Sequence, residues 1–297
     1  MTVWVEGQAL ADWRKKAQAE AIAAQIAPEE VDWLLQHCTD LDKLSLRLGT
    51  FASQDRIACT YSLTALSQIW QKRCLERCPI QYLVGAAPWR HFLLQVSPSV
   101  LIPRPETELL IDLVLAQVRH YPALATGNWV DLGTGSGAIA LGLASVLPQA
   151  SIHAVDQSTD ALAIAVSNAQ KDDLADRIQF YQGFWWQPLT TLRGKIAGMV
   201  SNPPYIPSSD LPGLQPEVAH HEPRLALDGG EDGLTAIRYL INTAPAYLQS
   251  QGLWLIEMMA GQAPQVETLL REQGSYDAIQ IFKDLAGIER FALALRR

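Results

Sequence analysis

The stretch that decides the fold is Val130-Asp131-Leu132-Gly133-Thr134-Gly135-Ser136-Gly137, where an apolar strand passes through a glycine loop into an apolar helix. Glycines at alternate positions let the backbone turn tightly and approach a ligand where a Cβ atom would intrude. A second strand ends nineteen residues further on, at Asp156. A carboxylate at that position accepts both ribose hydroxyls of an adenine nucleoside. The loop and Asp156 therefore predict an adenosyl cofactor.

The glycine loop alone leaves the kind of adenosyl cofactor open. Gly133, Gly135 and Ala138 also satisfy the spacing of dinucleotide-binding loops, so an NAD cofactor fits the same pattern. Two details favour S-adenosylmethionine. Asp131 directly precedes the loop, in a position to meet the amino group of the methionine part, and the loop lacks the room that a pyrophosphate needs.

Apolar runs on either side of the loop predict alternating strands and helices. Such alternation is typical of right-handed βαβ units and a mostly parallel sheet. The last two strands have only a short turn between them and must pair antiparallel, which predicts the Rossmann-like fold of class I S-adenosylmethionine-dependent methyltransferases. The expected strands lie near residues 128–132, 151–156, 178–181, 196–201, 252–258, 278–282 and 290–295, and the expected helices near 137–147, 159–170, 234–248 and 262–273.

The first third of the chain differs in pattern. Residues 1–78 show helical spacing of apolar residues and predict a small all-α bundle. Residues 79–107 contain short β-like runs broken by Gly and Pro, and predict an extended linker or β-hairpin. Its expected strands are 82–84, 92–96 and 100–102. Residues 108–297 form the predicted methyltransferase domain.

A second motif, Asn202-Pro203-Pro204-Tyr205, follows the strand at 196–200 and favours methyl transfer. An amide nitrogen is a poor nucleophile because its lone pair is delocalised. The Asn202 side-chain oxygen and the Pro203 carbonyl can each accept one N–H of a substrate amide, which aims that nitrogen at a methyl group. Consecutive prolines fix the backbone, and Tyr205 offers a flat face to the amide. We expect these four residues to be catalytic and substrate-binding, and Asn202 to contact the cofactor as well.

Other residues near the motifs have more modest expected roles. Trp185, after the third βα unit, is predicted to wall the adenine. The stretch 202–232 has no clear secondary structure, which is typical of a binding loop or lid. His220 and His221 are read as solvated loop residues, and the four cysteines as reduced thiols. No metal site is expected.

Composition restricts the partners. The net charge is −8 and the sequence pI is near 5.2, without a basic stripe, so a stable nucleic-acid partner is disfavoured. No apolar run approaches the roughly 20 residues that cross a bilayer, and the first twenty residues lack a signal-peptide core. These features predict a cytoplasmic enzyme, a monomer, without a membrane partner.

The motifs together resemble those of the bacterial release factor glutamine N5-methyltransferases, the PrmC or HemK type. The resemblance runs from about residue 79 to the C-terminus and implies S-adenosylmethionine as cofactor. It implies that the glutamine of the Gly-Gly-Gln motif in peptide chain release factors is the substrate, held by Asn202 to Tyr205. It also implies that Gly133 to Gly137, Asp156 and Trp185 hold the cofactor, and that the helical residues 1–78 recognise the substrate protein. The carrying segments are 79–85, 96–108, 131–137, 202–205, 222–227 and 284–290.

Three alternatives remain at this stage. A glutamine methyltransferase acting on a ribosomal protein would use the same residues. An adenine-N6 DNA methyltransferase shares the Asn-Pro-Pro-Tyr motif, but it requires a basic cleft and a base-flipping apparatus. An NAD(P) oxidoreductase or a noncatalytic adenosine-binding module would leave that motif unexplained.

Overall fold

The computed structural model describes residues 2–297, and the chain divides into two compact units, Met1–Gly85 and Ala86–Arg297. The first unit holds five helices around a core of residues that include Leu10, Leu34, Phe51 and Trp70. Its elements are β1 (Val3–Val5), α1 (Gly7–Ala23), α2 (Glu29–Cys38), α3 (Lys43–Leu48), β2 (Ile57–Cys59), α4 (Leu63–Leu75) and α5 (Ile80–Val84).

Two sequence-based expectations for this part of the chain are wrong. Strands β1 and β2 pair antiparallel, so the predicted all-α bundle contains a small sheet. The run Tyr82–Val84, predicted as a strand, lies in α5. Pro79 precedes that helix, and Gly85 ends it in the left-handed conformation at φ 75°, a common way for a helix to stop.

The second unit contains a seven-stranded sheet and a separate hairpin. The strand predicted at residues 92–96 is present as β4 (Phe92–Gln95), and it pairs antiparallel with β3 (Ala86–Trp89). Residues 100–102, also predicted as a strand, form none. The elements are β3 (Ala86–Trp89), β4 (Phe92–Gln95), α6 (Leu109–His120), β5 (Thr126–Leu132), α7 (Ala138–Val146), β6 (Gln149–Asp156), α8 (Thr159–Lys171), β7 (Ile178–Gln182), β8 (Ile196–Ser201), α9 (Pro216–His221), α10 (Thr235–Thr243), β9 (Leu248–Glu257), α11 (Ala263–Gln273), β10 (Tyr276–Lys283) and β11 (Glu289–Arg296).

The large sheet has the strand order β10-β11-β9-β8-β5-β6-β7. Strands β5 to β9 pair in parallel, and β11 pairs antiparallel with both β9 and β10. The predicted parallel sheet with a closing antiparallel hairpin is therefore confirmed. Strands β6 and β7 lie on one side of β5, and β8 and β9 lie on its other side. The strand order therefore reverses between β5 and β8, and ligands bind at such a switch point in open α/β sheets.

Apolar packing covers both faces of this sheet. Leu253 and Leu255 of β9 face a core shared with α6 and α7, whereas Trp254 and Ile256 face a core shared with α10 and α11. Successive residues of a strand point to opposite faces, so a sheet covered on both sides needs continuous apolar strands. This explains why β8 and the second half of β9 are buried at every residue.

The connection after β8 is more ordered than the sequence indicated. The segment 202–232 contains α9, which begins at Pro216, where proline suits the first helical turn. The backbone N–H of Ile206 donates to the Leu227 carbonyl at 3.0 Å, and that of Gly229 donates to the Ile206 carbonyl at 2.8 Å. These bonds close the segment into a loop beside the sheet.

No helix among residues 2–297 is both long and apolar enough to span a membrane. The same residues include no group of three or more His, Cys, Asp or Glu placed to hold a metal ion.

Candidate active site

A cavity of about 270 Å³ opens at the carboxyl ends of the parallel strands. Its walls come from the segment before α6 and from the loops that follow β5, β6, β7 and β8. The residues that line the cavity include Arg104, Thr107, Gly133, Thr134, Gly135, Ser136, Asp156, Trp185, Asn202 and Pro204. The strand ends therefore bring together the glycine loop, the acidic residue after β6 and the Asn-Pro-Pro-Tyr motif.

The glycine loop turns through backbone conformations that favour glycine. Gly133 has φ 78° and Gly135 has φ 53°, both in the left-handed region. A Cβ atom on Gly133 would lie 3.6 Å from the Trp185 ring, whereas no described atom lies within 4 Å of such an atom on Gly135. The loop backbone at Gly135 is thus open to the cavity.

Asp131 lies beneath this loop and is not among the residues that line the cavity. Its Oδ2 accepts hydrogen bonds from the Thr134 hydroxyl at 2.6 Å and from the Ala140 backbone N–H at 3.0 Å. Its Oδ1 is buried and has no hydrogen-bond partner within residues 2–297. Burial raises the pKa of Asp131 to about 7. The two hydrogen bonds to Oδ2 hold the loop against the start of α7, and Oδ1 remains able to accept a further hydrogen bond.

Asp156 ends β6 and faces the cavity. Its Oδ2 accepts the Gly135 backbone N–H at 2.9 Å, and its Oδ1 accepts the Ser158 backbone N–H at 2.9 Å. Burial raises the pKa of Asp156, and the backbone N–H donors act in the opposite direction. Each carboxylate oxygen has two lone pairs, so both oxygens can accept a further hydroxyl.

The aromatic residues after β7 divide between cavity and core. Trp185 lines the cavity with φ 51°, and Phe184 lies against it with ring centroids 5.8 Å apart. Trp186 is buried in the core and stacks on Tyr247 at 4.6 Å. The structure therefore places Trp185 on the cavity wall next to the glycine loop, and its contact with adenine stays a prediction.

The Asn-Pro-Pro-Tyr motif begins immediately after β8, the strand that neighbours β5. Asn202 and Pro204 line the cavity, whereas Pro203 and Tyr205 of the motif do not. In the glycine loop, Gly137 also lies outside the cavity lining. Buried Gln262 holds the motif by donating from Nε2 to the Tyr205 carbonyl at 3.0 Å.

Sequence reasoning assigned no role to several polar residues that surround the motif. Thr107 donates to Glu257 at 2.6 Å, and the Tyr205 hydroxyl donates to the other Glu257 oxygen at 3.1 Å. Arg104 donates to both oxygens of Glu222 at 2.7 Å. The sequence alone could have indicated Glu257 as a site residue, because this carboxylate ends the apolar run of β9 at the ligand-binding edge of the sheet.

The cavity suits S-adenosylmethionine by its donors, its acceptors and its aromatic wall. The backbone of Gly135 is open to a ligand, and Asp156 offers two acceptor oxygens next to it. An aromatic wall stands at Trp185, and a buried acceptor without a partner lies below the loop at Asp131 Oδ1. An adenosyl group with hydroxyls, a flat base and a cationic tail fits this set.

Comparison with known proteins agrees with this fit. The family model "Methyltransferase small domain" matches residues 107–213. A solved structure of the catalytic domain of hMettl16, in complex with a MAT2A 3′UTR hairpin, shares the fold with a TM-score of 0.56. The similarity covers 88% of each chain at 12% identity. The fold and the site define a class I S-adenosylmethionine-dependent methyltransferase, which confirms the predicted fold, enzyme class and cofactor.

More similar relatives specify the family. A protein of Synechocystis sp. named "Release factor glutamine methyltransferase" is 54% identical over 98% of this chain and 97% of its own length. Proteins of the same name from Thermosynechococcus vestitus and Geobacter sulfurreducens are 48% and 36% identical over 98% and 97% of this chain, and the matches cover 99% and 95% of their own lengths. The chain belongs to the release factor glutamine methyltransferase family, as its motifs predicted.

Proposed function

We propose that this enzyme transfers a methyl group from S-adenosylmethionine to the N5 side-chain nitrogen of the glutamine in the Gly-Gly-Gln motif of peptide chain release factors. The observation that carries the proposal is the placement of Asn202 on the wall of the cavity that the glycine loop also lines. An acceptor for a substrate amide thus stands beside the cofactor groove, at the ends of neighbouring strands β5 and β8.

The glycine-loop side of the cavity takes the cofactor in this proposal. Gly133 to Gly137 present the loop backbone, Asp156 accepts the ribose hydroxyls, and Trp185 covers the adenine. Asp131 serves the cofactor from beneath the loop, where it holds Thr134 and Ala140 in place.

The Asn-Pro-Pro-Tyr side takes the substrate glutamine. Asn202 Oδ1 and the Pro203 carbonyl accept its two amide hydrogens, which fixes the nitrogen and favours positive charge on it as the new bond forms. Pro204 keeps this backbone rigid, and Tyr205 supports the motif through its hydroxyl bond to Glu257. S-adenosylmethionine, held by Gly133 to Gly137, Asp156 and Trp185, would supply a sulfonium methyl group to this nitrogen. The nitrogen then releases a proton to water.

The partner in this proposal is a protein, the release factor. We infer that residues 1–78 help to recognise the release factor. Residues 79–107 connect this helical part to the methyltransferase domain, residues 108–297. The enzyme acts as a monomer in the cytoplasm, where translation terminates, and has no membrane partner. A net charge of −8 fits an enzyme without a stable nucleic-acid partner.

A methyl-transfer assay tests the proposal. The full-length enzyme and methyl-labelled S-adenosylmethionine are incubated with a release factor, with its variant in which the motif glutamine is alanine, or with duplex DNA. Label should enter the release factor alone, and peptide mass spectrometry should place it on the glutamine. Label on DNA, or equal label on the alanine variant, would defeat the proposal.

A further inference from the structure

A chain of hydrogen bonds leads from Asn202 through Thr107, which also lines the cavity, to buried Glu257. Asn202 Nδ2 lies 3.3 Å from Thr107 Oγ1, and Thr107 Oγ1 lies 2.6 Å from Glu257 Oε2. The Tyr205 hydroxyl lies 3.1 Å from Glu257 Oε1. Thr107 is 4% exposed and Glu257 is fully buried. The chain therefore joins a residue before α6, the end of β9 and both ends of the Asn-Pro-Pro-Tyr motif.

The protons in this chain determine which way the Asn202 amide points. An ionised carboxylate only accepts hydrogen bonds, so the single hydroxyl proton of Thr107 is donated to Glu257. Thr107 Oγ1 is then left as an acceptor, and only the Nδ2 group of Asn202 can donate to it. The reverse orientation would place two acceptor oxygens together without a proton between them, which is costly in a buried site. Asn202 Oδ1 must therefore face away from Thr107.

We propose that Thr107 and Glu257 are positioning residues for methyl transfer, because together they hold the Asn202 amide with Oδ1 turned toward the substrate nitrogen. This inference rests on the proposed function of Asn202. Neither residue touches the reacting atoms. Their effect passes through the orientation of one amide group, which a free side chain could flip at little cost.

Because of these hydrogen bonds, the orientation of the Asn202 amide depends on whether Glu257 is protonated. A protonated Glu257 donates to Thr107, whose own proton then turns to Asn202 and favours Oδ1 in place of Nδ2 at that contact. The groups that face Glu257 are Glu106 before α6, Tyr205 after β8 and Arg290 of β11. Burial and, to a smaller extent, Glu106 raise the pKa of Glu257, the two hydroxyl donors and Arg290 lower it, and the net result is a pKa of about 7. Turnover should therefore fall as the pH drops below about 7.

The test compares Thr107→Val, which keeps the shape and removes the hydroxyl, with Thr107→Ser, which keeps the hydroxyl. For each full-length enzyme, kcat and KM for the release factor are measured between pH 5.5 and 8.5, and cofactor affinity is measured by calorimetry. At pH 8 we expect Thr107→Val to lower kcat about 30-fold with cofactor affinity within about twofold of the unmodified enzyme. Thr107→Ser should stay within about threefold. The fall of kcat below pH 7 should vanish in Thr107→Val and in Glu257→Gln.

Equal kcat for the valine and serine variants would overturn the proposal, and so would an unchanged acidic limb in Thr107→Val. Cofactor binding verifies that each variant is folded. A second measurement, by NMR, does not depend on turnover. It follows the side-chain ¹⁵N–H signals of Asn202, which are assigned by their loss in Asn202→Asp. These signals should move between pH 6 and 8 in the unmodified enzyme and stay fixed in Thr107→Val. Signals that do not move refute the orientation model, whereas a lack of transfer to the release factor refutes only the proposed function.

Discussion

The Nη2 atom of Arg104 lies 2.7 Å from each carboxylate oxygen of Glu222. The two residues are 118 positions apart, and their bond ties the segment before α6 to the loop after β8, the two walls that flank Asn202. The Glu222 side chain is 1% exposed and that of Arg104 is 28% exposed. Burial raises the pKa of Glu222, and Arg104 opposes that rise.

Arg104→Ala should destabilise the protein by about 3 kcal/mol, because it leaves the Glu222 carboxylate buried without its cation. The loss of stability should be larger at pH 8 than at pH 5. Without Arg104 the pKa of Glu222 rises further above its unfolded value, and such a group loses its contribution to stability as the pH rises through the folded-state pKa. Urea unfolding at the two pH values measures both effects.

The double variant Arg104→Ala/Glu222→Ala is the control for that prediction. It removes the buried charge together with its partner, so its loss of stability should be smaller than the sum of the two single losses. Strictly additive losses would contradict an energetic link between the two residues.

Asp156→Asn should weaken cofactor binding about tenfold to hundredfold, because a carboxylate forms stronger hydrogen bonds to hydroxyls than an amide does. The amide would also present an N–H₂ group to the donors Gly135 and Ser158, which now bond to the two oxygens. Turnover at saturating cofactor should change little. Calorimetric titration with S-adenosylmethionine checks this. Asp176→Asn, an exposed change away from the cavity, is the matched control and should bind normally.

Asn202→Ala should lower kcat about 100-fold or more, while cofactor affinity stays within about threefold. The reason is that Asn202 donates to Thr107 and leaves its oxygen for the substrate amide, whereas the contacts proposed for the ribose and adenine lie on other loops. Single-turnover transfer to the release factor and a separate binding titration measure the two quantities. Asn242→Ala, on the exposed side of α10, is the control. If Asn202→Ala instead abolished cofactor binding, Asn202 would be chiefly a cofactor ligand.

The sequence predicted the parts of this molecule whose signals are local. The glycine loop, Asp156 and the Asn-Pro-Pro-Tyr motif each follow an apolar strand directly, and parallel strands carry their carboxyl ends to one edge. Knowledge of the strand order therefore suffices to bring these motifs together. The two closing strands were predictable for a similar reason, because their short connection permits only antiparallel pairing.

The remaining features depend on contacts between distant residues. Thr107 and Glu257 are 150 positions apart, and no pattern in either segment specifies the other. The position of Asp131 beneath the loop depends on its bonds to Thr134 and Ala140, which the sequence does not specify. Short elements were also misread. Three apolar residues at Tyr82–Val84 fit a strand or a helix equally well. Strands β1 and β2 have three residues each and pair across more than fifty positions, so no local pattern specifies them.

Glu257→Gln should raise stability at pH 8 while it lowers turnover. The folded protein holds this carboxyl with a pKa of about 7, above the ordinary value of 4.5, chiefly because of burial. Between these two values the unfolded chain is ionised while the folded chain keeps its proton. The free energy of unfolding therefore falls as the pH rises through this window, by about 3 kcal/mol in total. Glutamine carries no charge, so the variant should escape that loss. Thr107 and Tyr205 both donate to the carboxylate, whereas glutamine offers one accepting oxygen and one donating nitrogen, so one of the two hydrogen bonds must reverse its direction. A reversal at Thr107 turns its proton toward Asn202, which disturbs the amide orientation and lowers turnover.

The measurement is the urea midpoint of the unmodified enzyme and of Glu257→Gln at pH 5 and pH 8. The two proteins should be close in stability at pH 5, where the carboxyl is protonated in the folded state. The variant should be the more stable at pH 8. Glu272→Gln, an exposed change on α11, should show no such difference between the two pH values. Equal stability of Glu257→Gln and the unmodified enzyme at pH 8 would mean that the Glu257 charge is already compensated by Arg290 and the two hydroxyl donors. The stability cost of keeping an ionised carboxylate behind Asn202 would then be negligible.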